Sequence, residues 1–117
     1  MTNDLFRRLE EGFNDMVTIR RYLHMHPEVS FQETNTAKYI QNFYLQLGIP
    51  FDANVGGNGV VARVKGARPG KTVALRADFD ALPIQDEKEV PYKSTVPGVM
   101  HACGHDTHMA MLLGAAK

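Results

Sequence analysis

The sequence predicts an α/β fold in which two amphipathic helices are followed by a β-hairpin, a central strand and a final helix. Three observations carry this. Apolar residues recur at helical spacing through residues 5–47, short strand-like runs broken by glycine follow through residue 77, and an apolar helical pattern closes the chain. The 117 residues, 44% of them hydrophobic, suffice for one packed core and are too few for two full domains, so residues 1–117 are read as a single unit.

In the first helix the stripe is Leu5, Leu9, Phe13, Met16, Val17 and Leu23, and it should stop at or before Pro27, because proline disfavours helical geometry in the residue preceding it. The second is announced by Ser30-Phe-Gln-Glu33, the spacing of a reciprocal cap, and continues through Ala37, Ile40, Phe43, Tyr44 and Leu47 to a stop at Gly48 and Pro50. Ile49 to Val55 and Val60 to Val64 read as strands joined by the turn Gly56-Gly-Asn-Gly59, which opens no helix and so makes a poor phosphate loop. Thr72-Val-Ala-Leu-Arg-Ala77 is apolar on both faces, as in a covered central strand, and delivers Asp78-Phe-Asp80 to its carboxyl end. Residues 81–104, with three prolines and no sustained period, form a long connection of the kind that is usually functional. The last helix begins near Asp106, a possible cap, and runs to Lys117.

Thirteen basic and thirteen acidic residues balance, and no block of like charge stands out, which argues against nucleic acid and membrane surfaces as partners. The amino terminus mixes charged with apolar residues and lacks the apolar stretch of a signal peptide or membrane span, so cytoplasmic residence is the expectation. A single cysteine, Cys103, cannot form an internal disulfide; it is a packed thiol, a nucleophile or a metal ligand.

The segment His101-Ala-Cys-Gly-His-Asp-Thr-His108 concentrates three histidines, one cysteine and one aspartate, all able to bind a divalent metal when suitably deprotonated. Gly104 lets the backbone bend so that Cys103 and His105 can face one ion, and the helix that follows turns its positive end towards them. Taken alone, the cluster leaves a buried thiol beside capping histidines equally open. Asp78 and Asp80 could bind a cation, orient a ligand histidine or share a proton, or could be solvated turn residues. His24 and His26 lie two apart and point in different directions on a helix, which favours a structural role near the helix end. There is no Gly-x-Ser-x-Gly elbow, and Cys103 with His105 as nucleophile and base would need an unusual turn to align.

Three segments resemble the aminoacylase-like metal-dependent amidohydrolases, a family that includes hippurate hydrolases, N-acetyldiaminopimelate deacetylases and auxin-conjugate hydrolases. They are Arg20-Arg-Tyr-Leu-His-Met-His-Pro-Glu-Val-Ser-Phe-Gln-Glu33, Ala74-Leu-Arg-Ala-Asp-Phe-Asp-Ala-Leu-Pro83 and Gly98-Val-Met-His-Ala-Cys-Gly-His-Asp-Thr-His-Met-Ala110, in the family's order. The resemblance implies the amino-terminal portion of a dinuclear metallohydrolase catalytic domain, with a lid and dimerisation domain elsewhere in the family, a homodimer or higher assembly, and hydrolysis of the amide bond of N-acyl amino acids. It implies two divalent ions, manganese or zinc with cobalt or nickel able to substitute, that lower the pKa of a bridging water and polarise the scissile carbonyl. Cys103 and His105 match the family's metal ligands, and Asp80 matches a supporting carboxylate. Asp78, His101, Asp106 and His108 are candidates for the surrounding shell.

The general-base glutamate and the remaining ligands of that family, a glutamate and two histidines, fall past Lys117. The chain is therefore expected to be a shortened form lacking the full site. The alternatives are an inactive scaffold or interaction module, and a simple mononuclear metal-binding domain completed by His101, His108 or Asp106.

Overall fold

The computed structural model describes residues 2–117, in which the elements run α1 (Thr2–Glu11), α2 (Phe13–Met25), α3 (Thr34–Leu47), β1 (Phe51–Val55), β2 (Gly59–Ala62) and α4 (His105–Ala116). The α/β class read from the sequence is observed, and α2, α3 and α4 build the core around Ile19, Leu23, Ile40, Tyr44, Met109, Ala110 and Leu113. These are the apolar positions one helical turn apart, so each helix turns one stripe inwards. The hairpin covers this core with Phe51, Val60 and Ala62, and Phe79 packs against it from the connection to α4. Helices α2 and α4 approach closely at Gly114, where an added Cβ would stand 2.5 Å from Met16 Sδ.

The hairpin is antiparallel, with Phe51 opposite Ala62, Asp52 opposite Val61 and Val55 opposite Gly59. Its register shifts between Asp52 and Val55 because β1 carries one residue more than β2 over that stretch. Asn54 takes up the irregularity at φ 56°, a conformation asparagine tolerates better than most residues. The turn expected at Gly56–Gly59 forms there, with Gly56 and Gly57 at positive φ.

Three expectations are corrected. The first helix divides at Gly12, which has φ −86° and ψ −2°. Backbone bonding continues through it, from Gly12 N–H to the Arg8 carbonyl at 3.1 Å and from Met16 N–H to the Gly12 carbonyl at 3.1 Å, so the break is a local departure at glycine. Only α2 reaches the core; Leu5, Phe6 and Leu9 of α1 are exposed.

The second correction concerns the start of α3, which begins at Thr34 rather than within Ser30–Glu33. Phe31 adopts φ 66°, which takes the chain off a helical path, so Ser30 and Glu33 cannot cap one another. Glu28 caps the helix instead, its carboxylate accepting the Thr36 N–H at 2.6 Å, the Thr36 hydroxyl at 2.8 Å and the Asn35 N–H at 3.3 Å. Glu28→Ala should lower stability by about 1 kcal/mol, read as a urea midpoint; an unchanged midpoint would show that water replaces the cap.

Third, Thr72–Ala77 enters no ladder. A strand exists only through its hydrogen-bonded neighbours, and none of the described strands lies beside this segment. Val73 and Leu75, expected to be covered, are 80% and 69% exposed.

The long connection 81–104 is tied down at several points. Leu82 and Met100 form an isolated antiparallel bridge, Ala81 and Val29 a parallel one, and Thr95 bonds the Met25 carbonyl through both its N–H (2.9 Å) and its hydroxyl (2.6 Å). Tyr92 lies under the guanidinium of Arg21, 4.6 Å from the ring centroid, with Arg20 at 5.3 Å. These contacts carry the connection across α2 and bring Asp86 into the interior.

Candidate functional site

Gly104, at φ 97°, is the residue before α4, and a left-handed backbone here is available to glycine at little cost. The turn it makes separates Cys103, which is exposed, from His105 at the first position of the helix. His105 is held from one side. Its Nδ1 lies 2.9 Å from Asp80 Oδ1 and 3.0 Å from the Asp80 carbonyl oxygen. Both oxygens only accept, so Nδ1 carries a proton, and in the neutral ring Nε2 then keeps its lone pair. Among the described residues Nε2 has no hydrogen-bond partner, and Asp78 Oδ2 stands 3.9 Å from it.

Asp80 is fixed in turn by Ser30, whose hydroxyl donates to Oδ2 at 2.6 Å. That bond is the largest cause holding the Asp80 carboxyl below its ordinary range; partial burial opposes it, and a backbone contact and His105 add to it. Asp78 pairs with Arg76. His108 is exposed, its ring centroid 6.0 Å from that of His105. The structure brings together two of the residues singled out in the sequence, Asp80 and His105, with Asp78 at the margin.

Asp106 lies elsewhere. It is 1% exposed and turned into the core, where Oδ2 accepts from Arg20 Nε at 2.9 Å and from His24 Nδ1 at 2.7 Å, while Oδ1 accepts the Thr107 N–H at 2.9 Å. His24, 1% exposed, places its other nitrogen 3.2 Å from Asp86 Oδ2. Asp86, fully buried, accepts further bonds from the Lys88 ammonium at 2.7 Å, the Lys88 N–H at 3.1 Å and the Ser94 N–H at 3.0 Å. Burial pushes the Asp86 carboxyl up, but these donors outweigh it and hold the group well below the usual carboxylate range.

The chain Arg20–Asp106–His24–Asp86–Lys88 was not read from the sequence. One signal was available: Arg20 and His24 are four apart and each follows a core residue, Ile19 and Leu23, so two polar side chains share the edge of a buried stripe. Asp86 carried no local signal. His26 does what the helix-end reading expected, its Nδ1 donating to the Tyr22 carbonyl at 2.8 Å.

His101 is 4% exposed, and neither ring nitrogen has a hydrogen-bond partner among the described residues. Burial lowers its pKa from 6.5 to about 4; Asp106 opposes the shift, His24 and His105 add to it, and Asp80 opposes it. A depressed folded-state value means that the unfolded chain takes up the proton first as pH falls. The contribution is complete above about pH 6.5 and is lost as the pH falls towards about 4. Urea midpoints of His101→Leu should therefore vary less with pH across this window than those of the unaltered chain; parallel curves would refute the assignment.

The donor chemistry fits a divalent ion, with an imidazole nitrogen open and oriented by a carboxylate on its far side, and a thiol two residues before it. No group of three His, Cys, Asp or Glu side chains that could hold an ion occurs among the described residues, so a self-contained mononuclear site lacks its third ligand there. Asp106, offered for that role, is already bonded to Arg20 and His24.

Comparison with known proteins agrees with the motifs. Residues 74–117 match peptidase family M20/M25/M40. The YhaA protein of Bacillus subtilis is 60% identical over 117 residues, spanning 100% of this chain and 30% of its own length. An N-acyl-L-amino acid amidohydrolase of Geobacillus stearothermophilus is 50% identical over 123 residues, covering 100% of this chain and 32% of that protein. The crystal structure of Bacillus subtilis YxeP, described as a dinuclear metal-binding peptidase from the M20 family, superposes with a TM-score of 0.85 at 42% identity, over 92% of this chain and 30% of that one. The chain spans about 30% of the length of the relatives it matches.

Proposed function

We propose that this chain, which is similar over its whole length to the amino-terminal portion of the M20 amidohydrolases, serves metal-dependent hydrolysis of the amide bond of N-acyl amino acids. Cys103 and His105 would hold metal, and Asp80 would orient His105 from behind. The observation that carries the reading is the Asp80–His105 contact at 2.9 Å, which engages Nδ1 and leaves Nε2 available as a ligand atom. Sequence similarity to an N-acyl-L-amino acid amidohydrolase supports the substrate class.

A bound divalent pair would polarise the scissile carbonyl and lower the pKa of a water. This chain's own residues contribute placement. Gly104 makes the left-handed turn between Cys103 and His105, Asp80 engages Nδ1 of His105, and the buried Asp106 anchors the helix turn that carries it. Manganese or zinc is the proposed ion, and assembly into homodimers and a cytoplasmic location are proposed with the activity.

The test is metal analysis after loading with manganese or zinc, together with release of free amino acid from an N-acetyl amino acid. Metal uptake that is abolished by a combined Cys103→Ala and His105→Ala change supports the ligand assignment, and turnover supports the substrate class. Uptake that survives both changes would place the ion elsewhere.

A further inference from the structure

We propose that Ser30 is a positioning residue for His105, acting through Asp80. The inference rests on the reading of His105 as a metal ligand but is carried by a separate geometry. The Ser30 hydroxyl takes one oxygen of the Asp80 carboxylate at 2.6 Å, and His105 Nδ1 takes the other at 2.9 Å. With both oxygens engaged, rotation of the carboxylate about its terminal bond would break one bond or the other. Ser30 therefore sets the plane in which Asp80 meets the imidazole. A freed Oδ2 would let the carboxylate turn to water, since the side chain is 28% exposed.

The loop bearing Ser30 is built to hold it in place. The Ala81 N–H donates to the Glu28 carbonyl at 2.8 Å, and Val29 bridges to Ala81, which aligns the loop beside the residue that follows Asp80. On the other side Phe31 is held at φ 66°, an unfavourable conformation for a residue with a Cβ. Its N–H donates to Glu33 Oε1 at 2.7 Å, and Asn58 Nδ2 bridges the Phe31 carbonyl at 3.4 Å and Glu33 Oε2 at 3.2 Å. Such a conformation persists where surrounding contacts over-determine it, and here those contacts converge next to Ser30. The Ser30–Glu33 motif, which failed to cap α3, is absorbed into this arrangement.

At 13.0 kDa the chain suits NMR, and long-range 1H–15N correlations report which nitrogen of His105 carries the proton. The set is the unaltered chain, Ser30→Ala, Ser30→Thr, Asp80→Ala and the double variant Ser30→Ala/Asp80→Ala, with urea midpoints establishing that each is folded. The unaltered chain should show the Nδ1–H tautomer. Ser30→Ala should raise the Nε2–H population several-fold, Ser30→Thr should restore the original spectrum, and the serine change should add nothing once Asp80 is gone. A Ser30→Ala spectrum identical to the unaltered one overturns the proposal, as does an equal change in the Asp80→Ala background.

Zinc titration separates this inference from the functional reading. If the unaltered chain binds zinc, Ser30→Ala should weaken it by about 3–10-fold, the loss of one modest hydrogen bond. A chain that binds no zinc overturns the reading that Cys103 and His105 hold metal unaided, and the tautomer populations still decide the role of Ser30.

Discussion

Asp106→Ala is expected to destabilise the fold by about 3–5 kcal/mol, because it removes the buried carboxylate that accepts from Arg20 and His24 at once. Here the groups left behind are His24, which is 1% exposed, and Arg20, which loses its acceptor at 2.9 Å. Against a typical domain stability of about 5–15 kcal/mol the loss is large enough to populate the unfolded chain. The control is Asp15→Ala, whose partner Lys117 bonds it at 2.8 Å with both side chains more than half exposed; such a pair contributes about 0–1 kcal/mol. Urea denaturation of the two variants decides the matter. Equal midpoints would mean that the buried chain is no stronger than the surface pair.

Asp80→Ala is expected to weaken metal binding by about 10–100-fold, the usual consequence of removing a carboxylate that orients a ligand histidine. Without it, only the backbone carbonyl at 3.0 Å remains to direct His105 Nδ1, and the imidazole can sample orientations that turn Nε2 away. Asp80→Asn should fall between the two, since the amide oxygen can still accept from Nδ1 while the charge is gone. Titration with zinc or manganese measures all three affinities. If Asp80→Ala binds as tightly as the unaltered chain, Asp80 does not support a ligand and the assignment of His105 weakens with it.

The parts of the fold legible in the sequence are those encoded over a few residues. The stripe Ala37, Ile40, Tyr44 and the stop at Gly48 described α3 to its carboxyl end, where Gly48 indeed takes φ 68°. The glycine-rich turn placed the hairpin. Errors arose where a local signal had a competing distant use. Ser30 and Glu33 have capping spacing, but the serine hydroxyl is engaged by Asp80, fifty residues away, and the glutamate by the Phe31 backbone. Thr72–Ala77 has the composition of a covered strand, yet composition supplies no ladder partner, and none of the described strands pairs with it.

The same division runs through the candidate site. The sequence by itself determined which donors exist and that a glycine separates Cys103 from His105, because residue type and adjacent spacing are local properties. Only the tertiary structure decided which of them meet. Asp80 reaches His105 across 25 residues, whereas Asp106, the very next residue, turns inwards to His24 across 82. Neighbours on a helix point about 100° apart, so His105 and Asp106 face different surroundings, and the packing of α2 against α4 assigns one to the open site and the other to the buried ionic chain.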